Sequence, residues 1–187
     1  MSALLSVIDL KHDYIARTVD HPLSFNVTSG SCIWIKGENG TGKSTFLKLS
    51  SGILPTPNEA ILVNTPFTYL GPEWGFKQQV TLTHYQRFMT VCGLERSFWD
   101  QWTPNFPKNR VMDTFSSGQK LWIRLGGALR SDRALWLLDE PTRFLDAARE
   151  KQVWDLINQH CQKGGAVVVA SHAAVTEWVS DCQTVQF

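Results

Sequence analysis

Long apolar runs are missing from this chain of 187 residues. A membrane-crossing helix needs about 20 consecutive apolar residues. The longest stretch here, Ala166 to Ala170 with its neighbours, falls far short of that. The N-terminal segment Met1-Ser2-Ala3-Leu4-Leu5-Ser6-Val7 is too short, and too soon followed by charge, to read as a signal peptide. We therefore expect a cytosolic protein that reaches any membrane through a partner. An excess of one charge is missing too. The net charge of +1 leaves no electrostatic footprint for nucleic acid, so no nucleic-acid partner is expected. There is no low-complexity tail and no internal repeat. Cys32, Cys92, Cys161 and Cys182 are scattered without a C-x-x-C pair. Buried free thiols are a better expectation than a disulfide or a metal site.

What is present is an ordinary globular composition, 43% hydrophobic, and a length that fits one domain or one domain with a subdomain. The informative segment is Gly37-Glu38-Asn39-Gly40-Thr41-Gly42-Lys43-Ser44-Thr45. It fits G-x-x-x-x-G-K-[ST], the P-loop. Glycines let the backbone curl so that successive N–H groups face phosphate oxygens. The lysine neutralises the terminal phosphates, and the following hydroxyl holds Mg²⁺. Context supports the motif: Cys32-Ile33-Trp34-Ile35-Lys36 reads as a buried strand before it, and Phe46, Leu47 and Leu49 continue as a helix whose N-terminus favours anions. The chain is expected to bind a nucleoside triphosphate.

Hydrophobic patterning places the rest. Residues 7–10 and 23–27 alternate like half-buried strands of an antiparallel layer. Residues 32–36, 134–138 and 166–170 are apolar without alternation, as in a parallel sheet covered on both faces. Val153, Leu156, Ile157 and His160 recur at helical spacing, with Gly164 as a stop. Leu121, Trp122, Leu125 and Leu129 form a second stripe. Gly126-Gly127 inside it costs about 1 kcal/mol per glycine relative to alanine, and close packing against a neighbour is the expected compensation. Residues 78–115 lack strand character. Thr83 with Gln86 has the form of a capping box, and Tyr85, Phe88, Met89 and Cys92 would share one helical face. Pro104 and Pro107 break the chain before the next motif. The expectation is a helical insert of about 40 residues, a plausible subdomain size, extending with the following helix over residues 78–130 of a single domain, 1–187.

Ala134-Leu135-Trp136-Leu137-Leu138-Asp139-Glu140 is an apolar strand ending in two carboxylates. An Asp-Glu pair at a strand end can equally cap a helix. Beside a P-loop it points to catalysis, because open parallel sheets bind ligands at the carboxyl ends of their strands. Asp139 would hold Mg²⁺ through water, and Glu140 would polarise the water that attacks the terminal phosphate.

Phe115-Ser116-Ser117-Gly118-Gln119 resembles the signature L-S-G-G-Q of ABC ATPases, with the first and third positions changed. Leu145-Asp146 is similar to the D-loop of that family and Ser171-His172 to its switch histidine. Tyr14 lies where the family stacks an aromatic ring on adenine. Six motifs in order over residues 14–172 identify the chain as a member. The resemblance implies an α/β fold, a P-loop NTPase core of ABC type with a reduced antiparallel layer and a helical subdomain. It implies ATP and Mg²⁺ as ligands and ATP hydrolysis as the activity. Lys43 and the loop amides of residues 37–45 would clamp the phosphates. Ser44 and Asp139 would hold the metal, Glu140 would act on water, and His172 would touch the γ-phosphate. Ser116, Gly118 and Gln119 would face the nucleotide of a second subunit, so that a homodimer sandwiches two ATP.

The chain departs from the family pattern at the Q-loop, where Glu73 stands in place of glutamine. A glutamate can still ligate Mg²⁺ but adds charge beside a polyanion. Within the family, Tyr69-Leu70-Gly71 with Gly75 and Lys77, Phe115 to Lys120, Leu135 to Pro141, and Gly164-Gly165 resemble the ATP-binding subunits of haem exporters in cytochrome c maturation. That implies a place on the cytoplasmic face of the inner membrane and an integral membrane subunit of the CcmB type, with a CcmC-like protein as a further partner. Nothing in the chain itself binds haem visibly: it has no Cys-x-x-Cys-His, and His84 and His160 read as packing or surface residues. Trp99, Trp102 and Phe106 would either dock onto a membrane subunit or form a small core under a loop. An ATPase for another transported substrate, or a non-transport ABC ATPase, remains open from the residues alone.

Overall fold

The computed structural model describes residues 2–11, 22–56, 59–71, 79–130 and 132–187. Patterning sorts its strands into two sheets. The first is antiparallel, in the order β2-β1-β4, from β1 (Leu5–Leu10), β2 (Leu23–Val27) and β4 (Ile61–Val63), with Val7 opposite both Phe25 and Ile61. The second is wholly parallel, in the order β5-β6-β7-β3-β8, from β3 (Cys32–Lys36), β5 (Phe67–Leu70), β6 (Leu135–Asp139), β7 (Ala166–Ala170) and β8 (Cys182–Gln186). Every residue of β6 and β7 is buried, which is why those strands carry no alternation.

Helix α1 (Lys43–Ser50) lies between the sheets. Its Phe46, Leu47 and Leu49 join Val7, Val27, Ile33, Leu137 and Val168 in one core. The opposite face of the parallel sheet is covered by α4 (Ser117–Ala128) and α5 (Ala147–Gln162), through Trp122, Leu125, Val153, Trp154 and Ile157. The chain leaves α5 through Lys163 and Gly164, whose φ of +87° is the left-handed value a stop of this kind uses.

Between the sheets' elements, α2 (Leu82–Val91) and α3 (Arg96–Trp102) pack with α4 around a third cluster of Leu82, Trp99, Met112, Phe115 and Ile123. Three local expectations are corrected here. The N-cap of α2 is Thr81, whose side chain accepts from the His84 N–H; Thr83 Oγ1 donates instead to the Lys108 carbonyl and Gln86 Nε2 to Thr103 Oγ1. The helix begins earlier than the Thr83–Gln86 pattern implied because Thr81 pairs with Val111 in an isolated antiparallel bridge, which fixes where the chain turns. The inward face of α2 carries Leu82, Tyr85 and Met89, while Phe88 is 62% exposed and Cys92 is also exposed. Finally, Trp99 is buried and cannot dock a partner; it meets Tyr85 and Phe98 edge-on. Phe106 stacks on Phe115 and Trp102 on Trp122, so these aromatics build a small core.

The paired glycines of α4 are explained by that core. A Cβ on Gly126 would lie 2.5 Å from Trp102 Nε1, and one on Gly127 would lie 2.7 Å from Met89 Cε. Trp34 and Trp136 are core residues of β3 and β6, and His160 stacks on Trp136 at 3.7 Å between ring centres while His84 is exposed. No described helix is long and apolar enough to cross a membrane.

Candidate nucleotide site

Residues 37–42 join β3 to α1. Gly40 and Gly42 have φ of +83° and +100°, a region costly to residues with a Cβ. Gly37 is required for space: a Cβ there would lie 2.5 Å from the Phe187 carbonyl oxygen. Gly42 is the N-cap of α1 and offers no side chain to its first-turn N–H groups, so the helix end is left for an anion. Lys43 is buried, at 7% exposure, and its Nζ donates to the carbonyls of Gly37 at 2.7 Å and Glu38 at 2.6 Å. Burial pulls its pKa down, opposed by the charges of Glu140 and Asp139. Thr41 Oγ1 donates to the Glu38 carbonyl and closes the loop.

The carboxylates come from the neighbouring strand end. Asp139 ends β6 at 3% exposure. Burial pushes its carboxyl pKa up, and a hydrogen bond from Ser44 works against that rise. The structure thus brings Ser44 and Asp139 together. Glu140 follows with φ of +49°, a strained value for a non-glycine residue, and its N–H donates to the Ala170 carbonyl of β7. Asp139 Oδ2 and Glu140 Oε1 are both buried without a hydrogen-bond partner. The unsatisfied Asp139 oxygen beside the Ser44 hydroxyl suits a hydrated Mg²⁺, which takes one or two protein ligands and completes its shell with phosphate and water. Among the described residues no group of three His, Cys, Asp or Glu is placed to hold a metal ion.

His172 follows β7. Its Nε2 lies 2.7 Å from Asn39 Oδ1 and 3.3 Å from Glu140 Oε1, and its side chain is 49% exposed. The preceding Ser171 is fixed from below by Trp34, whose indole N–H donates to the Ser171 carbonyl at 2.9 Å. The carboxyl ends of β3, β6 and β7 therefore gather Asn39, Lys43, Ser44, Asp139, Glu140 and His172. The role of Asn39 as partner of His172 left no local trace in the sequence; only the fold joins residues 133 positions apart.

Ser116 is the N-cap of α4 and forms a complete capping box: its Oγ accepts from the Gln119 N–H, and Gln119 Oε1 accepts from the Ser116 N–H. Gly118 faces the chain after Glu140, since a Cβ there would lie 2.3 Å from the Phe144 carbonyl oxygen. Ser116, Gly118 and Gln119 thus find their partners in α4 and at Phe144. Asp146 caps α5 by accepting from the Arg149 N–H. Tyr14 and Glu73 lie outside the described residues.

Comparison with known proteins agrees with this geometry. The ABC transporter family profile matches residues 21–143. A cytochrome c biogenesis ATP-binding export protein CcmA from Cereibacter sphaeroides is 31% identical over 159 residues, covering 83% of this chain and 76% of the relative. A protein of the same description from Legionella pneumophila is 30% identical, covering 90% of this chain and 92% of the relative. Among solved structures, an ATP-binding subunit of an ABC transporter superposes with a TM-score of 0.80 at 23% identity, over 98% of this chain and 85% of the other. The site and these similarities lead to one assignment: the chain belongs to the ABC transporter family, as an ATP-binding protein resembling CcmA.

Proposed function

We propose that the chain hydrolyses ATP as the peripheral subunit of a membrane complex that serves haem delivery in cytochrome c maturation. The observation that carries the hydrolytic part is the meeting of Lys43, Asp139, Glu140 and His172 at one end of the parallel sheet. The haem pathway is supported by the CcmA relatives, which match most of the chain.

Each residue then has a task. In the structure Lys43 bonds two loop carbonyls; ATP phosphates would take its ammonium in exchange, a charge-assisted contact about twice as strong as a neutral one. The uncapped N-terminus of α1 and the amides of residues 37–45 would bind the same phosphates. Ser44 and Asp139 would hold Mg²⁺, which neutralises charge that develops on the phosphate oxygens. Glu140 orients the attacking water and accepts its proton. His172, held by Asn39, presents its ring to the γ-phosphate. Ser116, Gly118 and Gln119 meet the nucleotide of a second copy, so that the active form is a dimer. The helical subdomain, residues 78–130, would meet the membrane subunit.

The test is purification of a tagged Glu140→Gln variant from membranes in the presence of ATP. Co-purification of a dimer with a cytochrome c maturation membrane protein supports the whole reading. Recovery of another permease keeps the ATPase and removes the haem pathway. A dimer without any membrane partner removes the transport reading.

A further inference from the structure

Cys32 and Cys182 stand opposite each other in the register of β3 and β8, with their sulfurs 3.5 Å apart. Registered neighbours in a sheet lie about 4.8 Å apart, inside the Cα separation that a disulfide spans. The two thiols therefore need only a side-chain adjustment to bond, although 150 residues separate them in sequence. Cys32 is buried, while Cys182 is partly open to solvent at the start of the edge strand. The thiol–thiol contact pulls the Cys182 pKa down against its burial, while the same contact and burial push that of Cys32 up, so Cys182 is the more acidic thiol of the pair. Cys161 is the neighbour that does not join: burial raises its pKa to about 11, and its thiol points at the Ser31 carbonyl.

We infer that Cys32 and Cys182 form a reversible oxidation site, closed to a disulfide by a peroxide, which pins the edge strand β8 to the strand that carries the phosphate loop. The Cys182 thiolate attacks a peroxide oxygen, the O–O bond breaks, and the departing hydroxide takes a proton to become water. The resulting sulfenic acid is attacked by the Cys32 sulfur. The S–O bond breaks, the S–S bond forms, and the Cys32 proton leaves with the oxygen in a second water. Two thiols lose two electrons, and one hydrogen peroxide is reduced to two waters. A dithiol reductant reverses the change. The location gives the bond its effect. Beyond β8, the Phe187 N–H donates to the Lys36 carbonyl at 2.7 Å, and the Phe187 carbonyl packs against Gly37, the first residue of the loop. An edge strand held by one neighbour alone frays readily; a covalent link at its start holds the whole strand against that loop.

The test treats the native full chain with hydrogen peroxide, blocks the remaining thiols with N-ethylmaleimide, and maps peptides without reduction. The expected result is a Cys32–Cys182 linked peptide and the loss of two of the four free thiols, both restored by dithiothreitol. Cys161→Ser keeps the linked peptide and Cys182→Ser abolishes it, while both variants retain the native far-UV signal. Amide exchange in residues 183–186 slows in the oxidised protein. The inference is overturned if Cys32 and Cys182 stay reduced at doses that oxidise the exposed Cys92, if Cys161 takes the place of Cys32 in the link, or if the link forms only in protein that has lost its native signal. Unchanged exchange in residues 183–186 overturns the pinning. None of these readouts depends on ATP hydrolysis.

Discussion

Trp102 and Trp122 hold each other reciprocally. Their rings stack at 3.9 Å and 3°, and each indole N–H donates to the other residue's carbonyl, at 2.8 Å and 2.9 Å. This pair joins α3 to α4, and so joins the helical insert to the helix that Ser116 caps. Trp102→Ala removes one ring and leaves the Trp122 carbonyl without its donor, and should destabilise the protein by about 3 kcal/mol. Trp102→Phe keeps one six-membered ring but loses the N–H and the rest of the indole, and should cost about 2 kcal/mol. Urea unfolding midpoints check both; equal losses would show that the hydrogen bonds, rather than the stack, dominate.

Gly126 and Gly127 should respond differently to alanine. Each gains about 1 kcal/mol of helix propensity. At Gly127 the nearest atom, at 2.7 Å, is the methyl end of Met89, which can move aside, although the Tyr85 hydroxyl stands at 2.8 Å. At Gly126 the obstacle is the Trp102 indole, fixed by its stack and hydrogen bond. Gly126→Ala should therefore lower stability by about 2 kcal/mol while Gly127→Ala stays within about 1 kcal/mol of the parent. Thermal melts of the two variants side by side decide this.

Glu140 should show opposite effects on activity and stability. Glu140→Gln should reduce turnover by about 100-fold or more with ATP affinity little changed, since the loss falls on proton transfer. Glu140→Gly should be just as inactive but about 1 kcal/mol more stable, because the residue's φ of +49° is strained for any side chain. Steady-state hydrolysis and chemical unfolding measured on the same preparations would expose a disagreement.

Lys43→Met should weaken ATP binding by about 100-fold through loss of the charge-assisted contact. It should also destabilise the free protein by about 1–2 kcal/mol, because the Gly37 and Glu38 carbonyls lose their donor. Titration with a fluorescent ATP analogue measures the first effect and denaturant unfolding the second.

His160 gives the fold a pH dependence. Burial lowers its pKa from the ordinary 6.5, with the carbonyls of Ala134 and Ala166 acting the other way and Lys163 adding to the drop. Above 6.5 the ring is neutral in both states and contributes no pH slope. Below it the unfolded chain binds a proton more readily than the folded one, so stability falls with falling pH until the lowered folded pKa is reached. His160→Gln should flatten the part of the stability profile just below pH 6.5. An unchanged slope there would assign it to other groups.

The phosphate loop was legible because its chemistry is local: glycines at left-handed positions, a lysine and a hydroxyl must follow one another. Strands β6 and β7 were legible because burial on both faces leaves unbroken apolar runs. Strand β8 was not, since Cys182-Gln183-Thr184-Val185-Gln186 is an edge strand whose polar residues face solvent. Strand β5 was hidden by its shortness, and its tyrosine and threonine are only half-buried. The aromatic insert was ambiguous because tryptophans in a proline-broken stretch look alike whether they face out or in; only the stacking of Trp102 on Trp122 and the burial of Trp99 separate the two. The contact of His172 with Asn39 is invisible to any local pattern, because it depends on β3 and β7 being sheet neighbours.

The close approach of Gly118 to the Phe144 carbonyl welds two stretches of backbone that a reader of motifs would treat separately. The N-terminus of α4, drawn tight by its own capping box, and the turn that follows Glu140 cannot shift past each other without collision. Any partner that meets this edge therefore encounters a preassembled surface.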